Sequence, residues 1–167
     1  IGVICSLIGS FLVKTKENAT QKALLGALSR GTNFAAIVTA VLSFFAVWGL
    51  LGIKNFGVYL SILAGLVAGV AIGKVTEYYT SDTYKPTQNL SESSKTGTAT
   101  LIISGLSLGM MSTLLPILIV GAAVIVAYFC AQIGADKNAT LGLYGISIAA
   151  VGMLSTLGIT LATDAYG

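Results

Sequence analysis

The chain has no histidine, two cysteines, two prolines and one tryptophan in 167 residues, and only 9% of it is charged. Each shortage excludes something. Without imidazole, and with Cys5 and Cys130 both inside apolar stretches, the usual zinc and haem ligand sets cannot be assembled. The two thiols read as small core hydrophobes. The net charge of +3 comes from basic residues scattered between apolar stretches, never in a stripe with interleaved aromatics, so no nucleic-acid surface is expected. Soluble domains carry about 25% charged residues. With 55% hydrophobic residues and a mean hydropathy of +0.90, this chain falls outside that class.

What is present is apolar length. No Asp, Glu, Lys or Arg occurs from Gly31 to Ile53, from Asn55 to Gly73, from Thr96 to Ala135, or from Asn138 to Thr163. A hydrocarbon core of ~30 Å needs about 20 apolar residues at ~1.5 Å rise each. Each run can therefore hold a spanning helix, and the expected fold is an all-α polytopic transmembrane bundle. The expected spans are 34–53, 56–75, 101–133 and 142–163, with a partial one over 1–13, all in one membrane domain over 1–167. The absence of a starting methionine before an apolar stretch suggests a piece of a larger protein. Lys14, Lys16, Lys22, Arg30, Lys74, Lys85 and Lys95 fall in the first and third connections, and Lys54 and Lys137 in the second and fourth. The positive-inside rule then makes the seven-charge side cytoplasmic, together with both ends of the chain and Asp164. The run after Thr100 exceeds the hydrocarbon thickness, and Pro116 is its natural kink site.

Within the membrane the sequence offers packing surfaces. Gly57, Ser61, Gly65, Gly69 and Gly73 recur every four residues, a strip without bulk on which another helix can approach closely. Gly105 and Gly109 repeat the spacing. In the last span Gly142, Gly145, Ala149, Gly152, Thr156, Thr160 and Thr163 fall within about 80° of one another at 100° per residue. Leu143, Leu154, Leu157 and Leu161 lie on the other side. Asp164 stands near the edge of that small, hydroxylated face. A carboxylate at a helix C-terminus costs roughly 0.3–1 kcal/mol against the macrodipole, so something should offset it. Water, a neighbouring lysine or a bound hard cation such as Mg²⁺ would each serve.

Three stretches carry a family resemblance. They are Glu77-Tyr-Tyr-Thr-Ser81 with Tyr84-Lys-Pro-Thr-Gln88, then Thr96-Gly-Thr-Ala-Thr100 leading into Ile103-Ser-Gly-Leu-Ser-Leu-Gly109, and finally Gly142-Leu-Tyr-Gly145 through Gly152-Met-Leu-Ser-Thr156 to Thr163-Asp-Ala-Tyr-Gly167. In order and spacing they resemble the middle of the membrane-integral pyrophosphatases, pumps that couple pyrophosphate hydrolysis to proton or sodium transport. Leu101 and Met111 depart from common members of that family. The resemblance implies a 16-helix subunit, of which this chain would hold the end of helix 7 through helix 11, and a homodimer in a bacterial-type cell membrane. It also implies a cytoplasmic Mg²⁺–pyrophosphate site, with K⁺ as a candidate second cation. Only Asp164 matches a motif adjoining the hydrolytic site, which gives it a metal-site or substrate-vicinity role and leaves the general base outside the chain. The segment alone should therefore be inactive. Glu77, Asp82 and Lys85 are expected to be solvated. Two alternative classes remain, a secondary transporter and a structural membrane subunit, which the glycine-rich helices would suit as well.

Overall fold

The computed structural model describes residues 2–11, 21–52, 55–133 and 139–156. The described residues form helices and short connections, with no strand. α1 runs Gly2–Phe11, α2 Gln21–Leu51, α3 Phe56–Thr80, α4 Lys85–Ser93, α5 Thr98–Ala131 and α6 Ala139–Met153. Single 3₁₀ turns follow α4 at Ser94–Thr96 and α6 at Leu154–Thr156. Four of the helical stretches are long and apolar enough to cross a membrane. Helix α2 starts well before its apolar run. Ala23, Leu24, Leu25, Ala27 and Leu28 are strong helix formers, so the helix runs through the basic segment that contains Lys22 and Arg30. At 34 residues, α5 is ~51 Å long by helical rise, and its assignment continues through Pro116.

The chain divides into two compact units, Ile1–Val70 with Gly121–Gly167, and Ala71–Val120. In the first, α1 packs on α2 and both touch the 3₁₀ turn Leu154–Thr156. The early part of α3 packs on the end of α5 and on α6 through glycines. A Cβ at Gly57 would meet the carbonyl oxygens of Cys130 and Ile133, one at Gly65 the backbone of Ala149, and one at Gly152 the Ile62 carbonyl oxygen at 2.7 Å. Ser61 stands in the same strip, fully buried. Its hydroxyl donates to the Ala127 carbonyl at 2.9 Å and to the Gly57 carbonyl at 3.2 Å. The second acceptor is the ordinary back-bond of a helical serine, whereas the first ties α3 to α5.

The second unit comprises a polar hairpin, made by the end of α3 and α4, and the apolar first part of α5. Helix α3 stops at Thr80, where the Ser81 N–H donates to the Glu77 carbonyl at 2.9 Å and the Thr87 hydroxyl reaches the Tyr79 carbonyl at 3.2 Å. The Gln88 side-chain amide donates to the carbonyls of Asp82 and Thr83 at 3.1 and 3.3 Å, closing the turn. Pro86 sits in the first turn of α4, where the amide it lacks would be unpaired anyway. The rings of Tyr78, Tyr79 and Tyr84 cluster with centroids 5.2–5.3 Å apart. Gly97, at φ +137°, takes a conformation that a side chain would strain, and its carbonyl accepts the first helical bond of α5 from Leu101 at 3.1 Å.

Candidate functional site

The small-residue face of α6 is the buried one. Gly142, Gly145, Ala149 and Gly152 are buried, and so are Ser155 and Thr156 in the 3₁₀ turn that follows. Leu143 and Leu154 on the other side are exposed. Each small residue lies against a specific neighbour. A Cβ at Gly142 would strike the Tyr128 ring and come within 2.9 Å of the Gln132 side-chain nitrogen, and one at Gly145 would strike the Ala131 methyl and lie 2.7 Å from the Ala127 carbonyl. At Gly69 the fit is looser, with the nearest Met153 atoms at 3.2–3.4 Å.

The same spacing on α5 is left open. A Cβ at Gly105 would find only the Leu90 side chain, at 3.8 Å, and one at Gly109 would find nothing within 4 Å. Among the described residues, then, the structure brings Gly65, Gly69, Gly145 and Gly152 into helix contacts and does not do so for Gly105 and Gly109.

Hydroxyls gather beside this packing. Ser6 on α1, Thr39 and Ser43 on α2, and Ser155 and Thr156 in the 3₁₀ turn are all buried, on three segments that touch one another. The Thr39 hydroxyl, 2% exposed, finds no hydrogen-bond partner among the described residues. Nothing in the sequence pattern singled it out, because threonine in a membrane helix ordinarily bonds its own backbone.

Asp164, with Thr160 and Thr163, lies outside the described residues. Among those described, no group of three or more Asp, Glu, Cys or His could hold a metal ion. Glu77 is half-buried and Asp82, Lys85 and Glu92 are exposed. Asp82 Oδ1 accepts only from its neighbour Thr83, at 3.3 Å. No chemical step is assigned to these residues.

Clefts also lie among the described residues. In the first unit Phe44, Val47, Trp48, Gly52, Phe56 and Tyr59 line a space of about 270 Å³, an apolar cleft walled by packed aromatic rings. In the second unit a cleft of about 460 Å³ lies among Tyr79, α4 and the first turns of α5.

Long apolar helices, close backbone packing through glycine and a polar hairpin define a multi-pass integral membrane protein. Its family follows from comparison. The family model described as inorganic H⁺ pyrophosphatase matches residues 1–167, and the chain belongs to that family. It is 52% identical to a putative K⁺-stimulated pyrophosphate-energized sodium pump of Bacteroides thetaiotaomicron, over 100% of this chain and 23% of the relative. It is 39% identical to a K⁺-insensitive pyrophosphate-energized proton pump of Methanosarcina mazei, over 99% of this chain and 24% of the relative. To the K⁺-stimulated pyrophosphate-energized sodium pump of Thermotoga maritima it is 36% identical, over 100% of this chain and 23% of the relative. The chain thus spans about a quarter of the length of these relatives.

Proposed function

We propose that this chain is the helical segment of an ion pump that couples hydrolysis of inorganic pyrophosphate, at the cytoplasmic face, to transport of sodium ions or protons. The observation that carries the reading is the match of the family model along the whole chain, from residue 1 to residue 167. It fits the physical picture of long apolar helices that pack closely through glycine in the first unit. In this reading α3, α5 and α6 form a scaffold, and the small face of α6 leads along the sequence toward Asp164, which serves in or beside the metal and substrate site. Mg²⁺ is the cation expected at that site. Its remaining ligands and the general base belong to parts of the pump beyond these residues, and the working pump is a homodimer.

Sodium, with K⁺ as an activating cation, is the coupled ion we favour. The relatives at 52% and 46% identity are both named putative K⁺-stimulated sodium pumps. The test is pyrophosphate-dependent uptake of ²²Na⁺ by sealed vesicles carrying the intact protein, with and without K⁺, beside a fluorescent readout of lumenal acidification. Acidification without ²²Na⁺ uptake would make the protein a proton pump. No pyrophosphate-dependent uptake of either ion would return the reading to a secondary transporter or a structural subunit.

A further inference from the structure

We draw no further inference here: the strongest candidate, the cluster of buried hydroxyls that Ser6, Thr39, Ser43, Ser155 and Thr156 form on α1, α2 and the 3₁₀ turn after α6, carries nothing, because nothing in the structure shows what the Thr39 hydroxyl, without a partner among the described residues, would hold.

Discussion

Gly65 and Gly73 stand eight residues apart in one four-residue repeat, and the structure assigns opposite outcomes to the same substitution at the two. A methyl group at Gly65 would enter the backbone of Ala149, whose nearest atom is a carbonyl oxygen. A helix backbone cannot rotate away as a flexible side chain would, so α3 and α6 would have to separate. Overpacking of this kind costs about 1–3 kcal/mol, and the separation also puts at risk the Ser61 to Ala127 hydrogen bond made one turn earlier. At Gly73 the same methyl would meet nothing within 4 Å among the described residues, which leaves the helix-propensity gain of alanine over glycine, up to ~1 kcal/mol. Gly65→Ala should therefore lower, and Gly73→Ala hold or raise, the midpoint of thermal unfolding of the intact protein in detergent. Gly69→Ala, against Met153 at 3.2–3.4 Å, should fall between them. A loss at Gly73 equal to that at Gly65 would refute the reasoning, because the spacing alone, and not the neighbour, would then set the outcome.

Other substitutions probe the remaining links. Ser61→Ala should destabilise by about 0.6–2 kcal/mol, the range for interhelical hydrogen bonds in membranes, whereas Thr39→Val should cost nothing or stabilise, since it removes a buried hydroxyl without a described partner; equal losses in a melting assay would contradict this. Gly152→Leu should harm stability more than Leu154→Ala, because Gly152 has the Ile62 carbonyl within 2.7 Å of its missing methyl group while Leu154 is exposed; the reverse order of melting temperatures would mean that the faces of α6 are misassigned. Asp164→Asn in the intact protein should lower hydrolysis and pumping together and raise the Mg²⁺ concentration for half-maximal activity, whereas an unchanged midpoint with near-normal turnover would remove Asp164 from the site. Cysteines placed at Lys54 and Lys137 should react with a membrane-impermeant thiol reagent from the outside; reaction only from the cytoplasm would invert the topology.

The helices long and apolar enough to cross a membrane and the small face of α6 were legible in the sequence because both are properties of a single segment. Charge-free length measures a helix against the bilayer, and Gly142, Gly145, Ala149 and Gly152 align on any helix, whatever lies beside it. Partners were not legible. Gly65 with Gly69 and Gly105 with Gly109 share one spacing, yet only the first pair meets a helix among the described residues. Close approach needs two surfaces, and the second comes from tertiary packing. Helix α4 was also missed: its residues, Lys85 to Ser93, read as connection because they are polar, although Pro86 was a signal for a helix start. The early start of α2 has a related cause, since basic residues interrupt an apolar run without interrupting a helix. Of the candidate site, the sequence offered Asp164 alone, outside the described residues, and the one inter-helix hydrogen bond of Ser61 could not be told from a back-bond without its partner in view.

The packing of the first unit also explains how a mostly apolar chain can hold a definite arrangement where lipid surrounds it. Apolar side chains gain little by leaving lipid for one another, so hydrophobic burial cannot select one helix pairing over the next. Shape and hydrogen bonding can. In the first unit the residues that decide the pairing are those with the least side chain: Gly57, Gly65, Gly145 and Gly152 all place their backbones against a neighbouring helix. Ser61 adds one directional bond at the centre of the strip. Large hydrophobic residues of α5 in this unit, Ile125 and Phe129 among them, are exposed. Only Ala127 and Ala131 of α5 are buried, so specificity on that helix too resides in its smallest residues. At Gly57, Gly65 and Gly152 the nearest atom is backbone, so enlarging any of these contacts pushes a whole helix aside. That rigidity suits a scaffold whose last helix leads to a residue proposed for a metal site, where ligand geometry tolerates little movement.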